Sequence, residues 1–159
     1  MKRNKLVNVL FALMLSASVV GCGEQETNTG YDGREFDISV AQDNSVKASI
    51  KKVGTNFELT ISGAGEALSY DKKELVPWNA ISKKINKVEI KDGITNIGDY
   101  YFYSTTISDY YIPSSVKSVG SNSFNAAAKV YSYSQEEFEF TCENDIYFYS
   151  DTKPSINGE

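Results

Sequence analysis

The sequence INKVEIKDGITNIGDYYFYSTT, residues 85–106, is followed without a gap by ISDYYIPSSVKSVGSNSFNAAA, residues 107–128. When the two segments are laid over one another, they carry apolar side chains at the same positions, and a glycine of the first meets a glycine of the second. The matching pairs are Ile85 and Ile107, Ile90 and Ile112, Ile94 and Val116, Ile97 and Val119, Gly98 and Gly120, and Phe102 and Phe124. A fixed period of this kind indicates repeated units that bury their apolar faces against their neighbours. We therefore interpret residues 85–128 as two complete repeats of equal length.

Each repeat opens with a pattern that is typical of a short strand. Because side chains alternate along a strand, the first, fourth and sixth residues of each repeat are expected to point into the core. These residues are Ile85, Val88 and Ile90 in the first repeat, and Ile107, Tyr110 and Ile112 in the second. The residues between them are expected on the outer face of the sheet, where Lys87 and Glu89 would stand one repeat away from Asp109 and Tyr111.

The second half of each repeat returns the chain to the start of the next strand. Ile94, Ile97 and Phe102 are predicted to line this return path on the core side. Gly98 and its counterpart Gly120 are predicted to adopt a backbone angle that only glycine takes at low cost. Strand-like residues follow at 129–133, but no register aligns them with the two repeats.

The repeat motif, VEIKDGITNIGDYYF and YYIPSSVKSVGSNSF, resembles the BspA-like leucine-rich repeats of bacterial surface proteins. The segments FELTISGAGEALSY…PWNAI and YFYSDTKPS are similar to the leader and the closing strand of that family, so the resemblance covers roughly residues 45–155. It implies a mainly β fold, a short leucine-rich-repeat solenoid of parallel strands with coils of about 22 residues, capped by an N-terminal β-hairpin. Members of the family differ in what they bind, so the resemblance predicts an architecture and not a ligand.

The sequence divides into a capping part, a repeat part and a tail. In the capping part, residues 45–84, alternating strands at 46–53 and 57–62 flank Gly54-Thr55-Asn56, which favours a hairpin, and Trp78 is expected to fill one end of the core. The repeats are assigned to residues 85–150, as the units 85–106, 107–128 and a partial unit 129–150. Residues 151–159 are interpreted as a tail.

The N-terminus predicts export and lipid attachment. Lys2, Arg3 and Lys5 precede an apolar run that is too short for a comfortable membrane span but suits a signal peptide, here residues 1–21. The run ends in Val19-Val20-Gly21-Cys22, which resembles the lipobox of bacterial lipoproteins. That resemblance implies cleavage between Gly21 and Cys22 and a lipid on Cys22; the alternative is an ordinary signal peptide with an incidental cysteine. Residues 22–44 are polar and are interpreted as a flexible tether, within which residues 36–40 could add an edge strand.

The composition excludes several classes of activity. The chain has a net charge of −5 and no basic stripe, so it is a poor candidate for nucleic-acid binding. It contains no histidine, which removes histidine-dependent triads and imidazole metal ligands, and it lacks a complete phosphate-binding glycine motif. Cys142 is the only cysteine besides Cys22, and without a histidine neither can form a Cys–His nucleophile pair. We predict neither a catalytic residue, nor a metal site, nor a cofactor.

The remaining hypothesis is a cell-envelope lipoprotein whose repeats act as a non-catalytic protein-interaction or adhesion module. Its membrane contact would be the lipid on Cys22, on the outer face of the cell membrane or on the outer membrane of a bacterium. Lys87, Glu89, Asp109 and Tyr111 are the candidate binding surface for an extracellular or envelope protein. Two alternatives stay open: a structural spacer or assembly component without a ligand, and a carbohydrate-binding accessory protein that uses tyrosine faces on a glycan.

Overall fold

A computed structural model describes residues 30–133, 139–140, 144 and 146–148 of the chain. In this part the strands are β1 (Glu35–Asp37), β2 (Val46–Val53), β3 (Asn56–Gly63), β4 (Ile85–Ile90), β5 (Asn96–Ile97), β6 (Asp109–Ile112), β7 (Ser118–Val119), β8 (Lys129–Ser132), β9 (Glu139–Phe140) and β10 (Ile146–Phe148). Two short 3₁₀ helices, Lys73–Leu75 and Asn79–Lys84, lie between β3 and β4. The predicted signal peptide, its cleavage site at Gly21 and Cys22, and the tail at 151–159 lie outside the described residues.

The first four strands form one sheet in the order β1-β2-β3-β4. β2 and β3 pair antiparallel, with Val46 opposite Gly63 and Val53 opposite Asn56, and Gly54 takes a positive φ at the turn between them. β4 then adds to β3 in parallel. Apolar residues at every second position put one face of β2 and β3 into the core: Val46, Ala48, Ile50, Phe57, Leu59 and Ile61 are all buried.

Residues 30–44 belong to this folded unit, although the sequence assigned them to the flexible tether 22–44. Phe36 in β1 pairs opposite Ala48, and both Ile38 and Ser39 are fully buried. The Leu68 amide donates to the carbonyl of Ile38 at 2.7 Å, which ties the segment to the chain that follows β3. Phe36, Ile38 and Val40 alternate with polar residues, and the edge strand that this pattern allowed at residues 36–40 forms as β1 at Glu35–Asp37.

Equivalent positions of the two repeats lie side by side, as the sequence period predicts. β5 pairs in parallel with β7, with Ile97 opposite Val119, and Phe102 forms a parallel bridge with Phe124. The rings of Phe102 and Phe124 are 5.6 Å apart, and the predicted return-path residues are buried in the same core. Each such side chain stabilises the fold by about 1.5–3 kcal/mol when buried. The core that the return-path residues of both repeats share therefore holds the two repeats together.

The structure fixes the register of the third unit. β6, β8 and β10 form a parallel sheet in which Tyr110 pairs with Val130 and Val130 pairs with Ile146. The stretch of chain from Val130 to Ile146 is shorter than that from Tyr110 to Val130, so the units shorten after the second repeat. An alignment at a constant period therefore finds no register beyond Ala128.

The prediction for Gly98 and Gly120 was wrong about the backbone. Neither glycine has a positive φ; the left-handed residues are instead Tyr100 (φ 63°) and Asn122 (φ 53°), which occupy equivalent positions of the two repeats. The glycines are required by close packing. A Cβ on Gly98 would lie 2.5 Å from Cε1 of Tyr101, and one on Gly120 would lie 2.9 Å from the Asp99 amide nitrogen.

Candidate functional site

The strands of the two repeats do not join into a single sheet. β4 is the last strand of the N-terminal sheet, and β6 is the first strand of the β6-β8-β10 sheet. In the described part of the chain, no β-ladder joins β4 to β6. Two strand edges that belong to adjacent repeats therefore face each other without a ladder between them.

The hydrogen bonds within each sheet show which residues of β4 and β6 direct their backbone N–H and C=O groups towards the other strand. The Lys91 amide donates to the Ile61 carbonyl at 2.8 Å, so the backbone groups of Lys91 point to β3. Because the N–H and C=O groups of successive strand residues point to opposite sides, those of Val88 and Ile90 point to β6. In the next sheet, the Lys129 amide donates to the Ser108 carbonyl at 2.7 Å. By the same alternation, Asp109 directs its backbone groups to β4.

Pro113 accounts for one missing bond between β4 and β6. The residue that follows each of the neighbouring strands donates to the strand before it: Lys91 to Ile61, and Tyr133 to Ile112 at 3.1 Å. Pro113 holds the same position after β6, but a proline has no backbone N–H to donate to the carbonyl of Ile90. The repeating hydrogen bond is thus lost at this one step of the stack.

A groove of about 430 Å³ lies where the two edges face each other. Its lining includes all four residues that the sequence predicted as a surface patch: Lys87, Glu89, Asp109 and Tyr111. The structure thus brings these four together at one place. The lining also contains Asn86, Val88, Ile90, Ile107, Pro113 and Tyr133, which the sequence did not single out.

The charges at the groove are already partly engaged with neighbours. The ammonium of Lys87 lies 3.9 Å from a Glu58 carboxylate oxygen, and the ammonium of Lys91 lies 2.5 Å from Glu89. Asp109 accepts a hydrogen bond of 2.5 Å from the hydroxyl of Ser108. The ring of Tyr111 stacks on that of Tyr131 at 5.1 Å between centroids. The rim is therefore polar and of mixed sign, with aromatic area on the side of β6.

The open edge also changes the burial of the residues predicted to point inwards. Ile85, Tyr110 and Ile112 are buried as predicted, whereas Val88, Ile90 and Ile107 are only half-buried. All three half-buried residues line the groove. A closed ladder from β4 to β6 would have covered them. The groove consequently has an apolar floor under a polar rim, a combination that suits ligand contact.

The buried tyrosines of the core are not poised for chemistry. Burial raises the pKa of Tyr110 to about 12, and its hydrogen bonds with Thr105 and Asn125 act in the opposite direction. Burial also raises the pKa of Tyr101 well above its ordinary value, and a nearby Tyr70 adds to the effect. Both phenols remain protonated near neutral pH, so neither supplies a base or a nucleophile there.

The residues that the structure describes contain neither a cluster suited to a metal ion nor a helix suited to a membrane. No group of three or more histidine, cysteine, aspartate or glutamate side chains is arranged there to hold a metal ion. No helix in this part of the chain has the length and apolar character required to cross a membrane.

Comparisons with known proteins agree with the repeat architecture. A family model described as "BspA type Leucine rich repeat region (6 copies)" matches residues 80–152. A solved structure of a leucine-rich repeat protein from Eubacterium ventriosum is similar to this chain, with 28% sequence identity and a TM-score of 0.53. The similarity covers 67% of this chain but only 27% of that protein. No curated protein gives a significant match. The fold is mainly β with parallel strands, and residues 80–152 are similar to leucine-rich repeats of the BspA type.

Proposed function

We propose that this chain is a non-catalytic protein-interaction module, and that the groove between β4 and β6 binds an extended segment of a partner protein. The observation that carries the proposal is the open edge of β4. The backbone groups of Val88 and Ile90 face a groove that also contains the predicted patch residues. An extended peptide that adds to a strand edge gains backbone hydrogen bonds, and neighbouring side chains supply its specificity. Neighbouring strands are ~4.8 Å apart, so a strand between β4 and β6 needs ~9.6 Å. Cα atoms of β4 and β6 come within 8 Å of one another, so the two strands must part by about 2 Å to admit the peptide.

The rim and the floor of the groove give such a partner two further sources of affinity. Lys87 and Glu89 already pair with Glu58 and Lys91, whereas Asp109 forms no ion pair within the described residues, so the rim favours a segment with a basic residue. Half-buried Val88, Ile90 and Ile107 offer apolar contact to the side chains that point towards the floor. In this arrangement the coils form a short solenoid. The antiparallel pair β2 and β3 caps the end of the solenoid that lies beside β4, the first strand of the first repeat.

Substitution of Val88 by proline is the sharpest test of the groove. Proline removes the one backbone N–H of Val88 that points to β6 and leaves the bonds to β3 in place, and an edge strand tolerates it. A photo-crosslinking amino acid placed at Asp109 on intact cells is expected to capture a protein, and V88P is expected to reduce that capture at least ~10-fold. The Val88→Ala control shortens the side chain but keeps the N–H, and should retain most of the capture.

A second variant closes the groove from the other side. Pro113→Lys places a donor where Lys91 and Tyr133 already have one, so we expect it to pair with the carbonyl of Ile90 and to lower the capture as well. Equal capture by the wild type, V88P and P113K would reject strand addition. A glycan array separates the carbohydrate alternative, and silence in both assays leaves the structural spacer.

We also propose that the chain is an envelope lipoprotein, anchored through Cys22 after cleavage at Gly21. The support is the sequence Val19-Val20-Gly21-Cys22 behind a cationic and apolar N-terminus. Two or more acyl chains on one cysteine anchor a protein stably, where a single chain is marginal. The domain would then stand on the outer face of the cell membrane or on the outer membrane.

Metabolic labelling with a radioactive fatty acid tests this anchor. The wild-type chain is expected to carry label and to fractionate with membranes, whereas Cys22→Ala is expected to carry none. Cys142→Ala serves as the matched control and should label like the wild type. Label that persists in C22A would show that the lipid is not on Cys22.

A further inference from the structure

A second surface, separate from the groove, combines lysines with exposed apolar side chains. Lys72 precedes and Lys73 begins the first 3₁₀ helix, and Lys83 and Lys84 end the second. Lys73, Lys83 and Lys84 share the lining of a shallow cleft of about 330 Å³ with Ser104 and residues of the second helix. Two separate parts of the chain thus contribute lysines to one cleft. We call this surface the lysine face.

The lysine face is cationic on a chain that is acidic as a whole. Residues 71–84 contain four lysines and the two carboxylates Asp71 and Glu74, while the net charge of the chain is −5. All four lysines are exposed, and none forms an ion pair within the described residues. Other surface lysines, such as Lys47, Lys87 and Lys91, do have a carboxylate partner. The cations of this face are therefore available to an external anion.

Two of the most exposed large apolar side chains adjoin these lysines. Leu75 ends the first 3₁₀ helix and is 51% exposed, and Tyr103 is 40% exposed. The ammonium of Lys73 lies 5.6 Å from the centre of the Tyr103 ring, which places the tyrosine on the lysine face. Lysines beside an exposed aliphatic and an exposed tyrosine are the side chains that proteins use at the headgroup layer of a membrane.

We propose that the lysine face docks on an anionic phospholipid surface, with Leu75 and Tyr103 entering the headgroup layer. The lysines supply attraction to phosphate groups, and the two apolar side chains gain from leaving water. The contact does not depend on a lipid at Cys22. In an anchored protein it would fix which side of the domain lies on the membrane.

Vesicle binding tests the proposal on the chain that begins at residue 22, with Cys22→Ser to remove acylation. This chain keeps the whole described core, which contains no residue before Tyr31. It is expected to bind vesicles of phosphatidylglycerol and phosphatidylcholine and not vesicles of phosphatidylcholine alone. Binding should fall as NaCl rises from about 0.1 M to about 1 M, because the Debye length shortens from ~10 Å to ~3 Å.

Matched variants separate this face from general charge effects. The triple variant Lys73→Gln, Lys83→Gln and Lys84→Gln is expected to bind anionic vesicles roughly 100-fold more weakly, because each lysine near the surface contributes about 5-fold. The control triple Lys51→Gln, Lys117→Gln and Lys129→Gln carries the same change in net charge and should bind like the parent. Arginine at the three positions of the lysine face should preserve binding, and Leu75→Ser with Tyr103→Ser should lower it about 10-fold.

Three results would overturn the proposal. The first is equal binding to anionic and to zwitterionic vesicles. The second is an equal loss in the two lysine triples. The third is displacement by inorganic phosphate at constant ionic strength, which would show that the cleft binds a small oxyanion and not a surface.

Discussion

Replacing Trp78 by alanine is expected to lower the free energy of unfolding by about 3–5 kcal/mol. Trp78 is fully buried, and its ring meets that of Tyr101 edge-on at 5.3 Å. Its Nε1–H donates to the carbonyl of Tyr101 at 2.8 Å. Alanine leaves both a large cavity and a buried carbonyl without this donor.

Thermal and urea unfolding followed by circular dichroism measure this loss. Trp78→Phe is the matched variant: it keeps most of the ring volume but removes the N–H, so it should cost about 1–2 kcal/mol. Because a loss of about 3–5 kcal/mol is a large fraction of the stability of a small domain, W78A should melt far below the wild type or fail to fold. A W78A protein as stable as W78F would show that the ring does not support the core.

Replacing Gly98 by alanine is expected to destabilise the fold by about 2–4 kcal/mol through overpacking. The new Cβ would collide with the carbonyl oxygen of Leu68, a backbone atom, and would lie 2.5 Å from the ring of Tyr101. Tyr101 is held in place, because its hydroxyl donates to the same Leu68 carbonyl at 2.7 Å and its ring packs on Trp78. Neither neighbour can retreat without disturbing the core.

Two other glycines calibrate that measurement. A Cβ on Gly30 meets nothing within 4 Å, so Gly30→Ala should change the unfolding free energy by less than about 0.5 kcal/mol. Gly120→Ala should fall between the two, because the Asp99 carboxylate can rotate away from the new Cβ, whereas the Asp99 amide nitrogen at 2.9 Å is a backbone atom and cannot. If Gly98→Ala proved as harmless as Gly30→Ala in the same urea titration, close packing would not be the reason for this glycine.

The repeat and its outward-facing residues were predictable because they depend on periodicity. Ile97 and Val119, or Phe102 and Phe124, are equivalent in sequence and pair in space, and the same alternation placed Lys87, Glu89, Asp109 and Tyr111 on one side. These features need only the pattern of apolar and polar residues along one coil. The family comparison then agrees with the type of repeat.

The features that the sequence did not predict depend on contacts between coils. To predict the missing ladder between β4 and β6, one must know which backbone groups point to which strand. Pro113 matters because the N–H that it lacks would have faced the carbonyl of Ile90. The role of Gly98 depends on Leu68, which belongs to the loop after β3 and not to a repeat. The lysine face joins Lys73 to Lys83 and Tyr103, and no periodicity relates these positions.

The shortening of the units has a consequence for how such a chain can grow. The stretch of chain from Val130 to Ile146 is shorter than the stretches between the earlier pairs, which are Ile97 and Val119, Tyr110 and Val130, and Val119 and Phe140. A duplicated copy of the first repeat placed beyond Phe148 would stack on a much smaller turn, and its return half would protrude into water. A copy inserted between residues 106 and 107 would lie between two repeats of the same length as itself. Gene duplication can therefore lengthen this array between the two complete repeats more easily than beyond β10.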